Sequence, residues 1–263
     1  MSEPYYKDAS VELWHDDCLD VLPRISGVDV IITSPPYNLG TSPGAGGFGH
    51  YRDGQSSGGG KGAKWTGVRG AGIEYDDHAD SLPWPEYEAW QRTVLDACWD
   101  TLSDTGAIYY NHKPRIQKDT LWTPLVLNPG LPLRQIITWA RAGGMGFSEA
   151  AYVSTSEWIM VLAKPAFRLK SKAASGLGDV WRIPQQGNPD HPAPFPLSLP
   201  AGVIETTAPR LVMDPFAGSG TTLRAAKDAG VRSIGIEISE RYCEIAARRL
   251  TQDTLFGATE EPA

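Results

Sequence analysis

Cysteine is scarce in this chain: Cys18, Cys98 and Cys243 stand far apart, with no Cys-x-x-Cys pair. An odd number at such spacing excludes a disulfide framework and argues against a thiolate zinc site, so all three read as packing residues. Long hydrophobic runs are also missing. No apolar stretch approaches the ~20 residues that span a bilayer, and the polar, acid-bearing N-terminus does not resemble a secretory segment. A cytoplasmic protein without a membrane partner is expected. Basic charge is not in excess either, since the formal net charge is −7. A phosphate-binding Gly-Lys-Ser/Thr loop is absent, because no lysine follows Gly220,.

What is present fits one α/β domain spanning 1–263. With 263 residues and 41% hydrophobic content, the chain can bury a large core. The charge is unevenly distributed. Residues 40–75 hold four basic against two acidic side chains, and residues 111–172 hold nine against three, leaving the remainder strongly acidic. Such segregation allows a basic face on an acidic body.

Two strand-and-turn motifs carry the chemistry. Val28-Asp29-Val30-Ile31-Ile32 is short and rich in β-branched residues, and it runs into Thr33-Ser34-Pro35-Pro36-Tyr37-Asn38. It reads as a buried parallel strand stopped by prolines, with its turn at the carboxyl end where open α/β sheets bind ligands. That turn offers a hydroxyl, carbonyls in fixed directions and an aromatic plate, which suit a planar amine. Acceptors beside its N–H bonds, the Ser34 side chain and the Pro35 carbonyl, favour the pyramidal, nucleophilic nitrogen, while Tyr37 stacks on the ring.

The second motif, Leu211-Val212-Met213-Asp214-Pro215-Phe216-Ala217-Gly218-Ser219-Gly220-Thr221-Thr222, is another strand ending in a glycine turn, with a helix expected from Leu223 to Ala229. Thr221 and Thr222 fall at the helix start, where free N–H groups and hydroxyls favour an anionic group such as a carboxylate. Glu237 follows the next strand, Arg232 to Ile236, at the position that accepts hydrogen bonds from ribose hydroxyls. An adenosine ligand bearing a carboxylate fits these parts better than a nucleotide phosphate.

Together the motifs resemble the Ser/Asp-Pro-Pro-Tyr catalytic motif and the Asp-Pro-Phe-x-Gly-Ser-Gly-Thr-Thr cofactor motif of DNA amino-methyltransferases that use S-adenosyl-L-methionine. The catalytic motif comes first, which is similar to the permuted beta group of that family. The resemblance runs from about Val11 to Leu250 and implies a seven-stranded Rossmann-like methyltransferase sheet, circularly permuted. It further implies methyl transfer to an exocyclic amine of a base flipped out of double-stranded DNA, with a cognate restriction endonuclease as a possible partner and a monomeric or homodimeric state left open. No metal is needed for that chemistry. Ser34, in place of aspartate, is more like cytosine-N4 than adenine-N6 enzymes, and no cysteine follows a proline as in the cytosine-C5 class.

By the same resemblance the catalytic residues are Ser34, Pro35, Pro36 and Tyr37. The cofactor residues are Asp214, Phe216, Gly218, Ser219, Gly220, Thr221, Thr222 and Glu237, with Asp17 at the adenine amino group and Asp16 as its competitor. His191 and Phe195, in the His-Pro-x-x-Phe-Pro segment, line the methionine end. A proline-rich lead-in to the amphipathic stretch Leu197 to Ala208 is the plainer reading of those last two.

Elsewhere the pattern predicts a strand over Val11 to His15, a short helix ending near Pro23 and a helix from Trp84 with Tyr87, Trp90, Val94, Leu95, Cys98, Trp99 and Leu102 on its buried face. A strand over Gly106 to Asn111 follows, then a closing pair over Gln135 to Ala140 and Glu157 to Ala163 joined through a flexible glycine link at 142–146. The last helix starts at Ser239-Glu240, ahead of a polar tail from Thr251. The glycine-rich insert at 40–75 reads as a mobile loop that orders over the flipped base or the cofactor. His112, at the end of the strand before Lys113, could touch DNA or cofactor, and a loop histidine without a chemical task is the plainer reading. Lys113, Arg141, Lys164, Arg168, Lys170 and Lys172 are candidate phosphate contacts. Little chain, about 166–190, is left for target recognition.

Overall fold

The computed structural model describes residues 3–38, 82–117, 119–141, 143, 149–184 and 196–252. The glycine-rich insert, most of the 142–146 link, His191, Phe195, the end of the recognition segment and nearly all of the polar tail lie outside the described residues.

The strands are β1 (Tyr6–Lys7), β2 (Val11–His15), β3 (Val28–Thr33), β4 (Leu102–His112), β5 (Arg115–Gln117), β6 (Thr120–Trp122), β7 (Leu133–Ala140), β8 (Ser156–Ala163), β9 (Val180–Arg182), β10 (Leu211–Asp214) and β11 (Arg232–Glu237). The helices are α1 (Cys18–Val21), α2 (Trp84–Thr101), α3 (Ser198–Thr207), α4 (Thr221–Asp228) and α5 (Glu240–Thr251). One sheet takes the order β1-β2-β11-β10-β3-β4-β8-β7-β9. The expected seven strands form its body, and the two-residue β1 and three-residue β9 lengthen its edges. From β2 to β4 all pairings are parallel, whereas β8 runs antiparallel to both β4 and β7. The β5–β6 hairpin, which the hydrophobic pattern does not announce, stands apart from the sheet.

Alternation along β3 explains why this sheet is covered on both faces. Ile31 points into a core with Ile108, Met213 and Ile236 that the α2 residues Tyr87, Val94, Leu95 and Cys98 close. Val30 and Ile32 point into the opposite core with Val161 and Val212, closed by Leu199 and Val203 of α3 and by Ala225 and Ala226 of α4. Every cysteine is free and buried, packing as its spacing suggests. No helix among the described residues is long and apolar enough to cross a membrane.

The sheet approaches helix α4 too closely for a side chain at Gly235 of β11. A Cβ there would lie 2.5 Å from Leu223 Cδ1, 3.1 Å from Ala217 Cβ and 3.2 Å from Leu13 Cδ1. Leu13 and Leu223 are themselves fully buried, so they have little room to yield. Gly235→Ala is expected to destabilise the fold by about 1–3 kcal/mol. A urea titration that leaves the midpoint unchanged would show that this layer can expand.

Candidate functional site

The parallel strands deliver their carboxyl ends to one rim. There β2 brings Asp16 and Asp17, β11 brings Glu237, β10 brings the glycine turn, β3 brings Ser34 to Tyr37, and β4 brings Asn111 and His112. A buried carboxylate ties the two motif turns together. Asp214 accepts from Thr33 Oγ1 (2.8 Å) and from the Phe216 amide (3.1 Å) at one oxygen, and from Thr222 Oγ1 (2.7 Å) at the other. Burial raises its pKa to about 6 despite those three bonds,. Two groups expected to face a cofactor, Asp214 and Thr222, are therefore spent inside the protein, while Thr221 keeps its hydroxyl hydrogen. Asp214 is 1% exposed, Thr222 is fully buried, and Thr221 Oγ1 accepts from Arg249 Nη1 (3.0 Å). The Asp214–Thr222 pair ties the two turns together, and α4 keeps backbone N–H groups and the Thr221 hydroxyl hydrogen at this end,.

The remaining described cofactor candidates gather at the same rim, at the carboxyl ends of β2, β10 and β11. Gly218 and Gly220 adopt positive φ (50° and 76°), which glycine takes without strain. Ser219, between them, is nearly buried. Glu237 accepts from the Gly218 amide (2.7 Å) at one oxygen and the Ser239 amide (2.9 Å) at the other. Each oxygen keeps a further lone pair, so two vicinal hydroxyls can be met together. Burial pushes its pKa up. Asp17 caps α1 by accepting from the Leu19 amide (2.9 Å) at Oδ1, leaving Oδ2 to serve as an acceptor, and the Asp16 amide donates to the Glu237 carbonyl (3.2 Å). Phe216 packs edge-to-face on Trp90 of α2 (5.7 Å). Two carboxylates for hydroxyl and amino donors beside a glycine turn rich in N–H groups are a donor set that matches an adenosine bearing an amino acid.

At the Ser34–Tyr37 turn, Ser34 Oγ lies 2.9 Å from the Tyr37 hydroxyl, which donates to Glu157 Oε2 (3.0 Å). Asn111 Nδ2 donates to Tyr37 (2.7 Å) and to the same Glu157 oxygen (3.0 Å). Arg141 Nη1 pairs with Glu157 Oε1 at 3.3 Å. Pro35 is buried behind the turn and Pro36 is half-buried. Burial, then the charge of Glu157, holds the Tyr37 phenol well above its usual pKa, so it stays neutral.

His112 is no idle loop residue. It ends β4, is completely buried, and stacks on Tyr37 with centroids 4.5 Å apart. Its Nδ1 accepts from the Lys113 amide (2.8 Å), so the proton resides on Nε2 and is donated to the Tyr87 hydroxyl (2.8 Å). Tyr87 in turn donates to the Pro36 carbonyl (2.8 Å). Burial first, and then Arg115, lowers its pKa to about 3, so the ring is a neutral brace for the turn. Trp122 of the β5–β6 hairpin covers it from 5.2 Å. Asn111, His112 and Glu157 were absent from the sequence-based set. The only hint available was that the carboxyl end of β4 and the start of an antiparallel β8 must share a rim with β3.

That antiparallel strand also redistributes the basic candidates. Lys113 and Arg141 lie at the rim, but Arg141 is occupied by Glu157 and by the Ser154 carbonyl (3.1 Å). Lys164, Arg168, Lys170 and Lys172 follow β8 and emerge at the opposite edge. The Lys164 amide bonds to the Gly106 carbonyl near the start of β4, and its ammonium sits 4.1 Å over the Trp99 ring. Arg168 turns back on the Pro165 and Phe167 carbonyls, and the Lys170 amide bonds to Thr206 at the end of α3. These four do not share a face with the Ser34 turn. The chain returns to the rim through β9, where exposed Arg182 pairs in register with Ala140, while Phe167 and Trp181 are buried in the core beneath.

Known proteins similar to this chain in sequence and fold include DNA methyltransferases. Type II methyltransferase M.ScaI of Streptomyces caespitosus is 26% identical over 95% of this chain and 84% of its own length. Type II methyltransferase M.BglII of Bacillus subtilis is 23% identical over 91% and 69%. Among solved structures, the cytosine-N4-specific PvuII DNA methyltransferase aligns with a TM-score of 0.70 at 16% identity, covering 96% of this chain and 90% of that one. The M1.HpyAVI–SAM complex aligns with a TM-score of 0.61 at 18% identity, covering 92% and 100%. At such identities the structural matches establish the fold. The sequence itself matches the N6_N4_Mtase family, described as DNA methylase, over residues 28–248, and the chain belongs to that family of DNA methyltransferases.

Proposed function

We infer that the chain methylates the N4 amino group of cytosine, using S-adenosyl-L-methionine and a base flipped out of double-stranded DNA. The observation that carries the choice of base is Ser34 at the head of the catalytic turn, a hydroxyl where adenine-N6 enzymes of the resembling group more often carry aspartate. The family and the named SAM complex of M1.HpyAVI support the cofactor, as does the fit of the donor set. S-adenosyl-L-methionine supplies, when bound, a methyl group on a positively charged sulfur that an amine lone pair can displace.

The chain's own residues would act as follows. Glu237 holds the ribose hydroxyls, Asp17 the adenine amino group, and the backbone of Gly218 to Gly220 the amino-acid end. Phe216, backed by Trp90, adds an apolar wall. Ser34 Oγ and the Pro35 carbonyl accept the two N–H bonds of the target amine, which frees its lone pair from the ring. Tyr37, braced by His112, stacks on the base and resists its return to the duplex. Lys113 and exposed Arg182 are the rim cations we assign to DNA phosphates. The Type II relatives suggest a companion endonuclease of the same specificity.

Incubation with labelled S-adenosyl-L-methionine and unmethylated genomic DNA, followed by nucleoside mass spectrometry, tests the reading. N4-methylcytosine is the expected product; N6-methyladenine would overturn the choice of base, and an unlabelled DNA pool the substrate. Glu237→Ala is expected to weaken cofactor binding by roughly ten- to fifty-fold, as befits lost hydrogen bonds to a charged acceptor. Unchanged affinity by titration calorimetry would move the ribose site elsewhere.

A further inference from the structure

The hydrogen atoms around Tyr37 can be counted, and the count fixes the direction of its bonds. Glu157 is a carboxylate paired with Arg141, both nearly buried, and it can only accept. Tyr37 has one hydroxyl hydrogen, and Glu157 Oε2 takes it (3.0 Å). Asn111 must turn Nδ2 rather than Oδ1 toward that carboxylate, which the geometry shows at 3.0 Å. The same nitrogen also fills a lone pair of Tyr37 (2.7 Å). In this orientation Asn111 Oδ1 is buried with no partner among the described residues, a cost the network bears only because the carboxylate dictates it. The contact between Ser34 and Tyr37 (2.9 Å) then has one solution: Ser34 donates and Tyr37 accepts.

We propose that Glu157, acting through Tyr37, orients the Ser34 hydroxyl as an acceptor toward the target amine and is a positioning residue for methyl transfer. The proposal rests on the amino-methyltransferase reading. A serine hydroxyl is a poor fixed acceptor, since its hydrogen rotates to suit any neighbour. Here the hydrogen is drawn inward along the chain Ser34 to Tyr37 to Glu157; Asn111 Nδ2 makes only a long contact with one lone pair of Oγ (3.4 Å), and the other is left for an incoming N–H. Each bond ends closer to a negative charge, which strengthens the one before it and enriches Oγ in electron density. The arrangement lends Ser34 part of the acceptor character that an aspartate at that position has by itself. No sequence signal marks Glu157, because it is more than a hundred residues from the turn and reaches it only through the reversed strand β8.

The test is a cycle of Glu157→Gln and Tyr37→Phe. In Glu157→Gln the Arg141 side draws the amide oxygen, the amide nitrogen faces Tyr37, and the chain reverses. Turnover on unmethylated genomic DNA is expected to fall about tenfold with unchanged KM for S-adenosyl-L-methionine, in a protein that stays folded but melts at a lower temperature because Arg141 loses its buried counter-charge,. Tyr37→Phe cuts the same chain, so the double variant should lose no more than either single one. Independently of activity, the sheltered Tyr37 hydroxyl proton should give a downfield proton resonance that vanishes in Tyr37→Phe and moves upfield in Glu157→Gln. Full turnover in a folded Glu157→Gln protein, multiplying losses in the double variant, or an unmoved resonance would each overturn the proposal. A wild-type protein that methylates no DNA would instead defeat the amino-methyltransferase reading, while the resonance still decides the hydrogen-bond direction.

Discussion

Tyr37→Ala is expected to lower kcat by on the order of 100-fold or more while leaving the dissociation constant for S-adenosyl-L-methionine within about twofold of wild type. Two losses combine. Stacking between a base and an aromatic side chain is worth about 1–3 kcal/mol, and on our reading it is realised when the base is extruded into the pocket. Truncation also removes the acceptor that draws the Ser34 hydrogen inward (2.9 Å), so the hydroxyl can turn its proton against the amine. Neither loss reaches the residues assigned to the cofactor, because Glu237 and Gly218 are held by each other and Asp17 by its own helix. Tritium transfer to DNA and titration calorimetry on the same preparation separate the two quantities. If cofactor affinity fell in step with turnover, Tyr37 would belong to the cofactor site and the division of roles between the two motifs would be wrong.

The placement of the two turns at strand ends was legible in the sequence because each motif is local. A β-branched run closed by two prolines, and a second run closed by Gly-x-Gly, place their turns at strand ends by the physics of six or so residues. The apolar spacing of α2 was equally readable, since Tyr87, Val94, Leu95 and Cys98 fall on one helical face and are buried. Residues whose meaning depends on strand direction were not legible. Lys164 and its basic neighbours looked like a DNA-facing group, but β8 runs antiparallel and carries them to the far edge of the sheet. The same reversal brings Glu157 beneath Tyr37 from the beginning of that strand. Thr221 and Thr222 illustrate a second limit. Their position at a helix start is visible in sequence, whereas the partners Arg249 and Asp214 that bond to their hydroxyls appear only when α5 and β10 pack. His112 combines both limits, being a polar residue whose burial follows from a β5–β6 hairpin with little apolar pattern of its own.

Two buried ionisable groups at this site pull stability in opposite directions as the pH falls, and replacing one should expose the other. His112 has a folded pKa of about 3 against 6.5 for the free side chain. The unfolded chain therefore binds the additional proton, so the stability is fully present above about pH 6.5 and is lost on acidification toward 3. Asp214 has a folded pKa of about 6 against 3.8. There the folded state binds the additional proton, and stability is gained as the pH falls from 6 to 3.8. Each contributes roughly 1.4 kcal/mol per pH unit inside its window, so between about pH 6 and 4 the two nearly cancel. Asp214→Asn removes the titration yet can keep the scaffold. Its carbonyl accepts from Thr33 and the Phe216 amide, and Thr222 can redirect its hydrogen to the Ile32 carbonyl (3.3 Å) and accept from the new amide. Relative to wild type, this variant is expected to lose about 2 kcal/mol of stability on going from pH 6 to 4. Comparing the variant with wild type at each pH cancels the carboxylates outside the site, such as Asp8, whose pKa its bonded partners hold low. Urea midpoints that shift in parallel for the two proteins across that window would mean that Asp214 ionises in the folded state as freely as in the unfolded one, and that its burial between the two turns costs nothing.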